Sequence, residues 1–424
     1  MPSIPTRVRV AALAVAVVLS GLIAFGSPLG VDYLAPKCEP YLCDDAGYSI
    51  EALSHGDVGG FFAEQPPMGS FSLLVRTPFA AVANAAGGGD LLVYRLGALA
   101  CVLALAGLAL AVGFAMARRG RPPVACMLVP AGILASPVTY AALKYGHPEE
   151  LLAAALCVGA AVAAGRGRSV AAGLMLGCAV ATKQWALLAA LPVLLAAPRG
   201  RLRLTAVAGA AVALLVLPMM AADWDRFWLA QKSVGIATTF DNTVTASNVW
   251  FAFAKGVTAP TMTPEGMVTT TQYSLPHWLG HLTHPLVALL ALAAVVAFWL
   301  RRRGAGPEEA LQLMALIFLL RCVLDPLTYS YHHAPFVVSL VAYEGLRRRV
   351  PVMSGVSIAA LLLMTEVVAP MKNAGLINAF YLSWSLPMTA ALALGALAPA
   401  RLDALASRVR GLVRPAAAPA APAA

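Results

Sequence analysis

Long apolar runs separated by short polar connections repeat along almost the whole chain. Many of these runs approach the roughly 20 residues that an α-helix needs to cross a bilayer. Inside lipid every backbone N–H and C=O group must find a partner, and runs of this length meet that demand as helices rather than as the strands of a barrel. The pattern therefore predicts an all-α, polytopic membrane protein with about twelve transmembrane helices.

Spans one to four are predicted at 8–26, 91–117, 124–143 and 151–164. Arginine clusters flank the next apolar segment, 169–198, on both sides, so we interpret it as a hairpin of two short helices. Its turn would be Thr182-Lys183-Gln184-Trp185. Spans seven to twelve follow at 204–222, 278–300, 310–324, 335–346, 352–369 and 379–397.

Two long connections, 27–90 after span one and 223–276 after span seven, are predicted to lie outside the membrane. The first contains a weakly apolar stretch, 70–85, that Arg76 and Pro78 interrupt, and we expect it at the membrane surface. No separate soluble domain is expected. Residues 1–413 are predicted to form one transmembrane domain, and the Ala/Pro-rich residues 414–424 a disordered cytoplasmic tail.

Composition agrees with a membrane protein: 60% of the residues are hydrophobic, 12% are charged, and the mean hydropathy is +0.77. The net charge of +10 does not indicate nucleic-acid binding, because the basic residues are short arginine clusters at the ends of apolar runs. Such clusters mark cytoplasmic loops. The rule places both termini in the cytoplasm of a plasma-membrane protein and all six lysines outside, so the working face should be the outer one. The clusters are Arg118/Arg119/Arg121, Arg166/Arg168, Arg199/Arg201/Arg203, Arg301 to Arg303, Arg347 to Arg349 and the set from Arg401 to Arg414.

Five of the seven cysteines lie in apolar runs, where a small hydrophobic side chain is the ordinary interpretation. Cys38 and Cys43 instead fall in the first outer connection. An oxidising compartment would allow a small disulfide ring there, but spacing alone leaves open whether it forms.

Asp44 and Asp45 lie side by side in that connection, where a carboxylate pair can supply a general base or a metal ligand. A solvated turn with an aspartate as a helix cap is the alternative. The pair is followed by Tyr48, and later by Gly56-Asp57 and Gln65-Pro66-Pro67. This order resembles the first outer loop of the GT-C superfamily of membrane glycosyltransferases.

Within that superfamily the chain is most similar to glycosyltransferase family 87, the polyprenol-phosphate-mannose-dependent transferases of actinobacteria. The resemblance implies a GT-C bundle whose active site faces outside, with Asp44 or Asp45 as the base and Tyr48 among the substrate-binding residues. It also implies a lysine in a short-helix turn near the lipid phosphate. Lys183 fits that position, with Gln184 beside it as a substrate contact. A lysine that reaches out to the membrane surface is the alternative for Lys183.

Two further polar segments are candidates for substrate binding. The first segment is Gly146-His147-Pro148-Glu149-Glu150. A proline and two acidic residues are typical of the first turn of a helix, but a helix start does not explain His147. We therefore expect His147, Glu149 and Glu150 to contact substrate, with a plain helix start as the alternative. His332 and His333, at the start of span ten, resemble the late aromatic-histidine segment of the same family.

Arg321 and Asp325 are four residues apart, so they can pair on one helix face, and Arg321 is also a candidate for the donor phosphate. His277, His281 and His284 share another helix face. A zinc site would need a further ligand, so no metal site is predicted. No cofactor is required by the pattern, and dependence on a divalent cation stays open.

These features predict an inverting glycosyltransferase that moves one sugar, mannose or else arabinose, from a polyprenyl-phosphate donor to a cell-envelope glycan or glycolipid. Nucleic acid is not an expected partner. The alternative is a secondary transporter or flippase with Lys183, Arg321, Asp325 and Glu366 on its path. We find no pair of matching halves typical of transporters. A third hypothesis is a scaffold protein for cell-envelope assembly, which would not need an acid and a base close together.

Overall fold

A computed structural model describes residues 5–27, 47–63, 69–234, 242–263, 266–302, 305–347 and 351–400. Within these ranges the chain is almost entirely helical. Seven helical segments are long and apolar enough to cross a membrane. They are Thr6–Gly26, Asp90–Arg118, Pro123–Lys144, Arg201–Ala222, His277–Arg302, Val352–Met371 and Ala374–Leu397. This confirms the polytopic helical class, whereas the count of about twelve spans stays a prediction.

The first half of the chain forms helices α1 to α9. They are α1 (Thr6–Gly26), α2 (Gly47–Ser54), α3 (Val58–Ala63), α4 (Ser70–Ala85), α5 (Asp90–Arg118), α6 (Pro123–Leu134), α7 (Pro137–Lys144), α8 (Glu149–Gly165) and α9 (Ser169–Val180). The predicted span 124–143 is two helices, α6 and α7, because Pro137 begins a new helix after the break at Ala135 and Ser136.

The second half starts with a 3₁₀ turn (Gln184–Ala189) that leads into α10 (Ala190–Ala196). The remaining helices are α11 (Arg201–Ala222), α12 (Trp224–Val234), α13 (His277–Arg302), α14 (Pro307–Leu324), α15 (Ala334–Arg347), α16 (Val352–Leu363) and α17 (Ala374–Leu397). A π-helical turn (Met364–Val368) and a 3₁₀ turn (Ala369–Met371) extend α16, and further 3₁₀ turns are Val249–Phe253 and Ser330–His333.

The connection 223–276 departs from the all-helical prediction. It contains strands β1 (Lys255–Thr263) and β2 (Gly266–Ser274), which form an antiparallel hairpin with Lys255 opposite Ser274. Threonine is frequent in both strands, and such β-branched residues favour extended backbone. The tendency was visible in the sequence, but the connection was interpreted only as a loop.

The core runs through the centre of the bundle and is built largely from alanine. Helix α8 is buried along nearly its whole length, and its alanines pack against α5, α9 and α15. Small residues let helix backbones approach closely in a membrane, where packing rather than the hydrophobic effect holds helices together. Gly173 and Gly177 of α9 show this directly. A Cβ added at either position would lie 2.6 Å from a backbone oxygen of α11.

The segment 169–198 is the predicted hairpin. Its two ends come together, because the Ser169 hydroxyl donates to the Arg199 carbonyl at 3.4 Å. The turn lies at the opposite end of the bundle and is centred on Lys183, whose extended backbone (φ −145°, ψ 131°) interrupts the helix. The segment before α4 holds this turn, since the Gly69 N–H donates to the Thr182 carbonyl at 3.0 Å.

The two ends of the bundle differ in chemistry. At one end arginines contact neighbouring helix termini: Arg119 donates to the Leu346 carbonyl at 2.7 Å, and Arg347 pairs with Glu309 at 3.4 Å. The other end gathers the turn at Lys183, the start of α8 and the segment after α14. Mixed acidic, basic and aromatic side chains meet there.

Candidate active site

The start of α8 is the centre of the site. The chain leaves α7 through Gly146, whose φ of +78° lies in the left-handed region that favours glycine. This turn brings His147 back over Glu149, and the His147 Nδ1 lies 3.2 Å from Glu149 Oε1. The Glu149 side chain is fully buried and that of Glu150 is 2% exposed. Buried carboxylates need partners, and here several basic groups supply them.

Lys183 reaches this acidic pair from the hairpin turn. Its Nζ lies 2.9 Å from Glu149 Oε1 and 3.7 Å from Glu150 Oε1. The Lys183 side chain remains 17% exposed, so the ammonium forms the accessible edge of an otherwise buried cluster. The turn residue Trp185 also contributes, because its indole N–H donates to Glu150 Oε1 at 3.2 Å.

Arg76 completes the cluster from α4. Its side chain is 1% exposed, and its Nη1 lies 3.8 Å from Glu149 Oε2. Gly97 of α5 packs against this side chain, since a Cβ there would be in van der Waals contact with the Arg76 Nε at 3.4 Å. Glu149 thus contacts Lys183, His147 and Arg76 together. The sequence interpretation missed Arg76, although an arginine within a mostly apolar stretch was a usable signal.

The segment after α14 forms the other wall. Arg321 and Asp325 pair across one helical turn at 3.9 Å, as the spacing predicted, and His284 of α13 lies 4.0 Å from the same carboxylate. The Arg321 guanidinium lies 5.5 Å from the centre of the Trp185 ring, which ties this wall to the hairpin turn. Tyr331 stacks on His147 with ring centres 4.5 Å apart.

His333 is held inside the protein. Its Nδ1 lies 3.3 Å from the carbonyls of Tyr329 and Ser330, and carbonyls only accept, so Nδ1 carries the proton. Nε2 then accepts from the Tyr381 hydroxyl at 3.0 Å. Burial lowers the pKa of His333 to about 4, so the ring is neutral at physiological pH. Both nitrogens have partners in the protein, so a substrate contact would have to displace one of them.

His332 is more accessible than His333. Burial, together with the nearby positive charges of Arg321 and Lys183, lowers the pKa of His332 well below its usual value. The ring is therefore neutral, and its Nδ1 accepts from the Tyr329 N–H at 3.4 Å. The proton then belongs to Nε2, which is a suitable donor to an oxygen of a substrate.

Other predicted site residues lie at the margin or outside the described residues. Gln184 is next to Lys183 but donates to the side chain of Gln231 on α12. Asp44 and Asp45, with Cys38 and Cys43, fall in 28–46, outside the described residues. Tyr48 belongs to α2. Of the residues proposed for a transport path, Glu366 is exposed on the π-helical turn.

No group of three or more possible metal ligands occurs in the part of the chain that the structure describes. His277 and His281 approach each other through their Nε2 atoms at 3.1 Å, and His284 turns towards Asp325 instead. The five described cysteines, Cys101, Cys126, Cys157, Cys178 and Cys322, are free thiols in helices. They are packing residues, as predicted.

The sequence profile of glycosyltransferase family 87 matches residues 69–326, more than half of the chain. This chain belongs to glycosyltransferase family 87. The match contains Arg76, His147, both glutamates and Lys183, so the cluster described above lies inside the family region. A comparison with curated protein sequences finds no match. Membership of a glycosyltransferase family argues against the transporter and scaffold hypotheses.

Among solved structures, this family 87 chain is similar to that of ArnT from Cupriavidus metallidurans, crystallised with undecaprenyl phosphate. The two chains share 20% sequence identity, and the superposition has a TM-score of 0.50. It covers 96% of this chain and 73% of that chain. The likeness establishes a common fold, the GT-C fold expected from the first outer loop.

Proposed function

We propose that this chain is an inverting glycosyltransferase that takes one sugar from a polyprenyl-phosphate donor and passes it to a hydroxyl of a cell-envelope glycan or glycolipid. Mannose is the sugar we favour. The observation that carries the proposal is the convergence of Lys183, Arg76 and Arg321 at one end of a family 87 bundle, beside polar groups that can hold a sugar. ArnT, which shares the fold, was crystallised with a polyprenyl phosphate.

In the proposed reaction, the acceptor oxygen forms a bond to the anomeric carbon while the bond from that carbon to the phosphate oxygen breaks. The acceptor proton passes to Asp44, which acts as general base, with Asp45 beside it. Negative charge grows on the departing lipid phosphate. Lys183 at the accessible edge of the cluster, with Arg321 behind Trp185, is placed to stabilise that charge.

Glu149 and Glu150 have a different role in this proposal from the one expected. The sequence suggested that they contact substrate, but both are buried against protein cations. We assign them to positioning Lys183. His147, which is anchored on Glu149 and stacked on Tyr331, and His332 Nε2 are the donors proposed for sugar hydroxyls or phosphate. The orientation follows the arginine clusters, which put this end outside the cell.

The experiment is transfer of radiolabelled sugar by the purified protein in vesicles, with polyprenyl-phosphate-mannose and polyprenyl-phosphate-arabinose compared as donors. We expect product from the mannose donor. Asp44→Asn should express and insert normally, keep donor binding, and lose at least ~100-fold in transfer rate, since general-base catalysis contributes typically ~10² to 10⁴-fold. Full activity in an Asp44→Asn, Asp45→Asn double variant would end the proposed mechanism.

A further inference from the structure

Towards the arginine-rich end of the bundle, helices α5, α8 and α9 leave a cavity of about 350 Å³ between them. Small residues line it, among them Ala104 and Gly107 of α5 and Ala155 and Gly159 of α8, and Met175 of α9 closes one side. A Cβ added at Gly107 would meet nothing within 4 Å, so the groove is open at that point. The volume lies within the range of small-molecule sites, about 300 to 1,000 Å³.

Arg166 and Arg168 also line the cavity. They belong to the tight turn between α8 and α9, where Gly167 has a φ of +72°. Partial burial and the neighbouring positive charges of Arg118, Arg168 and Arg119 lower the pKa of Arg166. Four guanidinium groups therefore converge here.

In the described part of the chain, carboxylates pair with only one of these four arginines. Glu308 pairs with Arg119. Over the described ranges, no carboxylate lies within ion-pair distance of Arg118, Arg166 or Arg168. The positive-inside rule accounts for arginines at this end of the bundle, but it does not account for two of them lining an apolar groove. The combination suits a ligand with an apolar body and an anionic end.

We propose that this groove binds one anionic phospholipid from the leaflet at the arginine-rich end. One acyl chain would lie along Gly107 and Gly159, and the head-group phosphate would lie on Arg166 and Arg168. Basic pockets between membrane helices hold anionic lipid head groups for the same electrostatic reason. A free phosphate would leave the apolar groove unfilled, and a zwitterionic lipid would leave the guanidinium charge uncompensated. The bound lipid would brace α8, whose other end carries Glu149.

The test is native mass spectrometry of the purified full chain after exchange into detergent with phosphatidylglycerol or phosphatidylcholine, supported by thermal unfolding with each lipid. The wild type should retain one phosphatidylglycerol and gain thermal stability from it. The Arg166→Gln, Arg168→Gln double variant should need at least ~10-fold more lipid for the same occupancy. Gly107→Leu, which fills the groove and suits a helix, should also lower occupancy while the arginines stay in place.

Arg199→Gln, Arg203→Gln is the matched control, because it removes the same charge at the same end without touching the cavity. It should retain phosphatidylglycerol as the wild type does. Equal retention of phosphatidylglycerol in the Arg166/Arg168 variant would overturn the proposal. So would equal retention of phosphatidylcholine by the wild type, or equal stabilisation by soluble glycerol phosphate.

Discussion

Replacing Glu149 with glutamine tests the buried cluster most directly. Its carboxylate lies 2.9 Å from the Lys183 ammonium, 3.2 Å from the His147 ring and 3.8 Å from the Arg76 guanidinium, and its side chain is fully buried. Removing one partner of a buried ion pair typically costs about 3 to 5 kcal/mol, because the charge left behind cannot recover its hydration. We expect Glu149→Gln to lower the free energy of unfolding by an amount in that range.

Glu150→Gln is the matched control. Glu150 lies farther from Lys183, at 3.7 Å, and its Trp185 hydrogen bond can survive because a glutamine oxygen also accepts. Its cost should be smaller, about 1.5 to 3 kcal/mol, the range for one hydrogen bond to a charged group. Thermal unfolding of both variants in the same detergent gives the comparison.

A double-mutant cycle tests whether the loss of stability in Glu149→Gln comes from its contact with Arg76. In the Glu149→Gln background, Arg76→Met removes a buried guanidinium that no longer faces the Glu149 carboxylate, so the double variant should be less destabilised than the sum of the two single changes. Strict additivity would show that the two groups are not energetically coupled. A cost below about 1 kcal/mol for Glu149→Gln would refute the reasoning, since it would mean that water reaches the carboxylate despite its burial.

Three other predictions concern donor use, pH and orientation. Lys183→Gln should weaken use of the lipid donor by about 1.5 to 3 kcal/mol, the range for a hydrogen bond to a charged group, with acceptor affinity unchanged; an unaltered dependence of rate on donor concentration would leave Lys183 a purely structural residue. The pKa of His333 is about 4 in the folded protein, whereas a histidine in the unfolded chain has a pKa near 6.5. The unfolded chain therefore binds a proton first as the pH drops from about 6.5 to about 4, and the free energy of unfolding should fall over that range. His333→Gln should make this loss of stability smaller. Single cysteines at Asp57 and Thr243 should react with an impermeant reagent from outside and one at Arg302 only from inside; cytoplasmic labelling at Thr243 would reverse the proposed orientation.

Local pattern was sufficient for most of the fold. Apolar run length predicted the helices, and arginines at both ends of 169–198 predicted a hairpin, because a segment that returns to the same side must turn within the membrane protein. The Arg321 and Asp325 pair followed from helical spacing alone. These are properties of neighbours in sequence.

Arg76 shows where that reasoning stopped. The residues around Arg76 in the sequence do not predict its contact with Glu149, 73 positions later. That contact depends on how α4 packs on α5 and on where the turn before α8 places Glu149. The partners of His333 could not be predicted from the sequence either. The sequence indicates a substrate contact for His333, and the structure shows a hydrogen bond to the Tyr381 hydroxyl of α17. Its environment is made by a helix that is distant in the chain.

Composition, periodicity and short motifs were enough to predict a helical membrane protein, most of its helical segments, and the family to which it belongs. These predictions depend only on residues that are close together in the sequence. Only the tertiary structure decided that Glu149 and Glu150 are buried against Lys183 and Arg76, and that a groove lies between α5, α8 and α9. The partners of a buried charge and the spaces between helices are set by packing between distant segments, and sequence spacing does not encode that packing.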